Sequence, residues 1–217
     1  MYNLPMETPR TPLSINYRIR EGLARMAMVA RVDEWTKARA SGLNPTQMAI
    51  LTLLQGRETG LGIKDIAAHI GVSQPTATDS VLSLEKKGLV AKRPGLADKR
   101  AVSIVLTDDG LAALDHEGGD LGERAVGSLE VAEQEELLLA LVKMIRHLQE
   151  ENAIPPQRMC VTCRYFRPFA HLESEQPHHC NFVDAAFGQR ALRVDCREHE
   201  QADPTSRAAT WEAFQAG

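Results

Sequence analysis

Ile63-Lys64-Asp65-Ile66-Ala67-Ala68-His69-Ile70-Gly71-Val72-Ser73-Gln74-Pro75-Thr76-Ala77-Thr78 is the stretch that decides the fold. Ile63, Ile66, Ala67 and Ile70 repeat at helical spacing, which predicts the buried face of a short helix. Gly71 can take the left-handed conformation that stops it. Ser73 is suited to cap a second helix, and Pro75 falls in its first turn, where a missing N–H costs nothing. Two short helices joined by a tight turn read as a helix-turn-helix, in which short exposed side chains at the start of the second helix reach base edges in a major groove.

Working outward, Leu82-Ser83-Leu84-Glu85-Lys86-Lys87-Gly88-Leu89-Val90 carries the second helix to its end. Val90 and Lys92, then Val102, Ile104 and Leu106, alternate as two strands joined by Arg93-Pro94-Gly95-Leu96-Ala97-Asp98-Lys99-Arg100. A basic tip on a tight hairpin suits phosphates or a minor groove. After it, Thr107 is placed to cap a helix, with Asp108 and Asp109 at its positive end. Residues 15–40 read as a helix with Ile15, Ile19, Leu23, Met26, Val29 and Ala30 near one face. Another starts at Pro45, with Ile50, Leu51, Leu53 and Leu54 turned inward. A helix from Asp108 toward Glu117 should end or bend at Gly118-Gly119. Leu137 to Leu148 is strongly apolar, with Leu137, Leu138, Leu141, Met144, Ile145 and Leu148 forming a broad stripe. The fold class expected is mainly α with a small β-hairpin, a winged helix-turn-helix with long flanking helices.

Leu43-Asn44-Pro45-Thr46-Gln47, Asp98-Lys99-Arg100 and Leu106-Thr107-Asp108-Asp109-Gly110, combined with the helix-turn-helix, resemble the MarR family of bacterial regulators. The resemblance covers roughly residues 15 to 150. It implies a homodimer interlocked by the first and last helices of the unit, bound to double-stranded DNA at a palindromic operator. It also implies base contacts from Ser73, Gln74, Thr76 and Thr78, with Gln74 able to pair with adenine. In the wing it implies that Lys99 and Arg100 meet DNA, with Asp98 orienting Arg100. Asp79 stands where many relatives carry a basic residue. Relatives also bind small aromatic acids between the dimer helices and the winged domain, so a small-molecule effector is a further expectation.

The net charge of −4 misleads until it is divided by segment. Gly62 to Thr107 holds seven basic and four acidic residues, whereas Asp108 to Glu151 holds twelve acidic and three basic. Phosphate neutralisation acts at the contact, so the basic reading head governs DNA affinity and the acidic segment must point away. At 217 residues, 43% hydrophobic and 25% charged, the profile is that of a globular chain with ample material for a core. No apolar run approaches the roughly 20 residues of a membrane-spanning helix, and the first residues lack the apolar core of a secretory signal. A cytoplasmic location without membrane contact is expected. No phosphate-binding loop or nucleophile elbow is present, and a non-enzymatic role is expected.

Pro155-Pro156 closes the last helix, and the composition then changes. All four cysteines follow, as Cys160-x2-Cys163-x16-Cys180-x15-Cys196, with His171, His178, His179 and His199. This divides the chain into a flexible arm (1–14), a winged-helix and dimerisation unit (15–154), a small irregular cysteine-rich metal module (157–200) and a tail (201–217). Disulfides are disfavoured in a reducing cytoplasm, and Cys-x-x-Cys with two further cysteines points to metal. Thiolates accept zinc or an iron–sulfur cluster. Structural zinc usually takes two close pairs, so one pair plus two isolated cysteines favours a [4Fe–4S] cluster, with Zn2+ the alternative. Cys160-Val161-Thr162-Cys163-Arg164-Tyr165-Phe166, with Phe182 soon after Cys180, is similar to the high-potential iron–sulfur proteins and related small cluster domains. Tyr165, Phe166, Phe169, Phe182 and Phe187 would then shield a cluster, or simply form the module's core. His179 or His199 could replace a thiolate, although such histidines more often support ligands from outside. Together these features favour a regulator sensing redox state, oxygen or iron. The alternatives are a repressor of aromatic-ligand type with structural zinc, or an electron-transfer protein using the winged helix for docking.

Overall fold

The computed structural model describes residues 14–95, 101–115, 121–171 and 174–217. The N-terminal arm, the wing tip with Asp98, Lys99 and Arg100, and Gly118-Gly119 lie outside the described residues.

Among the described residues, seven helices and a hairpin make the first unit: α1 (Ile15–Ala40), α2 (Pro45–Leu54), α3 (Ile63–Ile70), α4 (Gln74–Lys86), β1 (Val90–Pro94), β2 (Val102–Leu106), α5 (Asp108–Ala112), α6 (Leu121–Val126) and α7 (Val131–Glu150). Their ends are set by local chemistry. The Ser14 hydroxyl accepts from the Tyr17 N–H at the start of α1. Asn44 and Gln47 satisfy each other's backbone N–H groups at the start of α2, a reciprocal capping box. Gly71 ends α3 at φ 68°, in the left-handed region. Thr107 accepts from the Gly110 N–H at 3.0 Å and starts α5. β1 and β2 pair antiparallel, Val90 opposite Leu106, and Leu61 adds a bridge to Ile104 at the foot of the wing.

Aliphatic side chains fill this unit. Ile50, Leu51 and Leu54 of α2, Ile66 of α3, Val81 and Leu84 of α4 and Ile104 of β2 are all but fully buried in one cluster. At roughly 1.5–3 kcal/mol for each such side chain, this burial is what holds the three small helices and the hairpin as one body. Asp33 of α1 is buried and accepts from the backbone N–H groups of Leu121 at 3.1 Å and Gly122 at 2.9 Å. It thereby caps α6 from a neighbouring helix. Along α1, Ile15, Ile19, Leu23, Met26, Val32 and Trp35 stay exposed.

The cysteine-rich segment folds against α7. It contains β3 (Phe166–Arg167), β4 (His178–Cys180) and β5 (Ala185–Phe187) in an antiparallel sheet of that order, 3-10 turns at Cys160–Thr162 and Gln189–Ala191, and α8 (Pro204–Ala216). The sequence reading placed 201–217 beyond the module as a tail. In the structure, Asp203 caps α8, and Phe214 from that helix is buried with Met159, Val161, Phe166 and Leu192 in the module's core. His178 is fully buried in the same place, against the rings of Phe166, Phe169, Phe187 and Phe214.

The apolar stripe of α7 is correspondingly divided. Val142 is buried in the module's core, with Leu138, Leu139 and Ile145 packed against it, while Leu137, Met144 and Leu148 remain exposed. The sequence assigned one broad face. Two faces exist because the module covers one of them. No helix among the described residues is long and apolar enough to cross a membrane.

Candidate functional site

Two sites emerge from the fold. The first is the start of α4. The Ser73 hydroxyl accepts from the Thr76 N–H and lies 2.8 Å from the Thr76 hydroxyl, so Ser73 caps the helix and both residues stand at its exposed end. Gln74, in the first turn, is exposed. Thr78 is half-buried and donates its hydroxyl to the Gln74 carbonyl at 2.9 Å, which leaves its oxygen only as an acceptor toward a base. Asp79 is exposed one residue further on. Gln47 of α2 donates to the Ser83 hydroxyl at 2.9 Å and fixes α4 against the core from its inner side. The cations beside the helix divide by role. Lys87 donates to the Gly42 carbonyl at 2.8 Å and Lys92 pairs with Glu85 at 2.7 Å, while Lys64, Lys86 and Arg93 are exposed. The expected wing contacts Lys99 and Arg100, with Asp98, fall outside the described residues.

The second site is a cavity of about 370 Å³ in the module, lined by Cys160, Cys163, Cys180 and Cys196 together. All four thiols are free. They arrive from three parts of the module. Cys160 opens a 3-10 turn and Cys163 closes it, Cys180 ends β4 opposite Phe166, and Cys196 sits in the loop before α8. Tyr165, Phe166, Phe182, Ala185, Phe187 and Leu192 make the walls. Phe169, which the sequence grouped with the shielding aromatics, packs on His178 and Phe214 and belongs to the core.

The sulfurs are handled by one residue that the sequence did not single out. The Arg193 backbone N–H donates to Cys160 Sγ at 3.3 Å, and its guanidinium lies 3.6 Å from Cys196 Sγ and 3.2 Å from the Glu198 carboxylate. Burial pushes the Cys160 thiol up to about 11, with the Arg193 N–H opposing and the three neighbouring thiols adding to the rise. Burial also raises Cys196. Such thiols are protonated near neutrality and weak nucleophiles, so binding of a metal group would displace protons. Nothing in the sequence separates Arg193 from the arginines around it; its value comes from the turn that aims its N–H into the cavity.

The histidines stand apart from the cavity walls. His179 is held between His171 at 3.1 Å and Asp184 at 3.2 Å, and His199 lies 3.0 Å from the Thr162 hydroxyl. Among the described residues, no three His, Cys, Asp or Glu side chains converge closely enough to hold one metal ion. All four thiols line the one cavity. The cavity offers four sulfurs, with the Glu198 carboxylate 3.3 Å from Cys196 Sγ and Arg193 beside Cys160 and Cys196, a sulfur-rich donor set of the kind that zinc or an iron–sulfur cluster takes.

Comparisons with known proteins bear on the first site. Residues 43–102 match the MarR family. A MarR transcriptional regulator from Methanosarcina mazei Go1 has a similar fold, with a TM-score of 0.53 at 18% identity, covering 62% of this chain and 98% of its own. The transcriptional regulator BldR from Sulfolobus solfataricus gives 0.51 at 21% identity, covering 63% of this chain and 99% of its own. Both neighbours are accounted for almost whole by less than two thirds of this chain, which leaves over a third without a counterpart in them. Comparison with curated proteins gives no match. Over residues 43–102 the winged-helix unit of this chain is similar to the MarR family, and its fold is that of the two solved regulators.

Proposed function

We propose that this chain is a dimeric, DNA-binding transcriptional regulator whose C-terminal module holds a [4Fe–4S] cluster and reports its state to the winged helix. Recognition of DNA rests on α4, with Ser73, Gln74, Thr76 and Thr78 at its start and the basic wing beside it. Dimerisation is supported by the exposed apolar side chains of α1 together with Leu137, Met144 and Leu148 of α7, which nothing among the described residues covers. A two-fold dimer would present two α4 helices to an imperfect palindrome with half-sites about one helical turn apart.

The observation that carries the cluster reading is that four cysteines from three parts of the module line a single, largely apolar cavity. Cys160, Cys163, Cys180 and Cys196 would hold the group, and it would supply reversible one-electron chemistry and sensitivity to oxidants or iron supply. Arg193 would place one backbone donor on Cys160 and one positive charge beside Cys196, favouring the thiolate forms. Tyr165 and Phe182, edge to face at 5.4 Å, narrow the approach of water.

The test is iron and acid-labile sulfide analysis, with visible absorption, of the full chain purified without oxygen, followed by selection of its preferred duplex from random DNA. About four irons and four sulfides per chain, with a palindromic selected site, are expected. A colourless protein with one zinc would replace the cluster by a structural ion. Failure to enrich any duplex would remove the regulatory role.

A further inference from the structure

Arg158 stands two residues before Cys160, and its side chain is only 11% exposed. Its guanidinium forms a two-pronged pair with Asp195, Nε to Oδ1 at 2.5 Å and Nη2 to Oδ2 at 2.8 Å. The same guanidinium donates to two backbone carbonyls of the winged-helix unit, Gln55 at 3.3 Å and Gly56 at 3.3 Å. The Arg158 carbonyl in turn accepts the N–H of Cys196 at 2.8 Å. One arginine is thus bonded at its backbone to a cavity cysteine, at one edge of its guanidinium to that cysteine's neighbour, and at the other edge to the turn between α2 and α3.

The surfaces around it are fitted closely. Gly56 has φ +68°, and a Cβ there would come within 2.5 Å of the Arg197 side chain, which follows Cys196. Only glycine lets the 195–197 loop lie on this turn. The far end of the turn is tied to the wing: the Leu61 N–H donates to the Ile104 carbonyl at 3.0 Å, and the Ile104 N–H donates back to Leu61 at 2.8 Å. Displacing the turn therefore acts on α3 and on β2 at once, the two elements that set where α4 and the wing point.

From this we infer that Arg158 and Asp195 form an intramolecular latch through which the cysteine cavity controls the angle of the DNA-reading head in the same subunit. The inference rests on the cluster reading given above for the occupant of the cavity. A group bound by Cys160 and Cys196 fixes the two chain segments that hold Arg158, and removal of the group releases them. Coupling of this kind requires that the two states differ in free energy at the DNA site, and the latch supplies a physical route for it. Arg suits the position because its planar fork can serve a carboxylate and two carbonyls at once, which a lysine ammonium cannot.

The experiment compares the full chain with Arg158→Lys and Asp195→Asn. Each is measured after loading with iron and sulfide under argon and after stripping with a chelator, on a duplex selected by the wild-type protein, at one salt concentration. The wild type should show an affinity ratio between the two forms of about 5- to 150-fold. Both variants should load the same iron and still bind DNA, with the ratio reduced to less than about twofold. A variant ratio equal to the wild type's would overturn the latch. If the wild type takes up no iron, the cluster reading fails, and hydrogen exchange then judges the latch alone. The amides of Gly60 and Leu61 should exchange faster in Arg158→Lys than in the wild type, whatever the metal content. Equal exchange at those amides would show that no latch holds the turn.

Discussion

The winged helix and the cysteine module are built by opposite means. The first has a continuous aliphatic core, with Ile50, Leu51, Leu54, Ile66, Leu84 and Ile104 buried together, and helix ends satisfied by their own side chains. The second has strands of two or three residues, a core of Met159, Val161, Phe166 and Leu192, and depends on neighbours at both ends. Val142 comes from α7 and Phe214 from α8. Trp211 stacks on Phe214 at 5.7 Å, and the buried Arg146 of α7 lies over Trp211 at 5.6 Å. A segment this small cannot bury enough apolar surface by itself, so it leans on a long helix and gathers four thiols at its centre. The contrast supports placing the proposed sensing role in the module: the smaller body is the one whose stability a bound group would change most.

The largest expected effect breaks the module alone. Phe214→Ala should cost about 3–5 kcal/mol, because it removes a buried ring from a core with few members. Hydrogen exchange should show lost protection over β3–β5 while the amides of α2, α3 and α4 stay protected. Loss of protection in both bodies together would mean that they fold as one. A second effect of roughly 1–3 kcal/mol belongs to the reading head: Gln74→Ala should lose affinity at particular base pairs of the selected duplex and leave the module untouched. Uniform weakening across all duplexes would move base recognition elsewhere.

Ser73→Ala separates support from recognition. The Ser73 hydroxyl caps α4, so its loss should lower winged-helix stability by about 1 kcal/mol, measured by denaturant unfolding. A change in DNA specificity larger than the loss of stability would add a direct base contact. The smallest effect is at the wing. Arg100→Ala should reduce the slope of log affinity against log salt by about 1, with no change in sequence preference. An unchanged slope would place Arg100 away from phosphate.

The same contrast decides what could be read from the residues alone. In the winged helix several boundaries have their own local sign: Ser73 before α4, Gly71 after α3, Asn44 and Gln47 at α2, Thr107 at α5. Periodicity then sorted the buried face of α2 and α3 correctly. In the module the spacing of the cysteines was legible as chemistry, but not the walls around them. Strands as short as Phe166–Arg167 carry no usable alternation. Phe214 sits near the end of the chain, where nothing local marks it as core. The apolar positions of α7 were found, yet their division between the module and an uncovered face depends on a partner surface supplied by later residues. Arg158 and Asp195 are far apart in sequence and ordinary in composition, so their pairing required the folded chain.

The most direct measurement of the central claim is the affinity of this chain for its selected duplex, cluster-loaded against metal-free, at one salt concentration. A change of about 1–3 kcal/mol between the two forms is predicted, the usual size of coupling between two sites. Equal affinity of the loaded and metal-free forms would contradict the sensing role and reduce the four-cysteine module to a structural appendage of the winged helix.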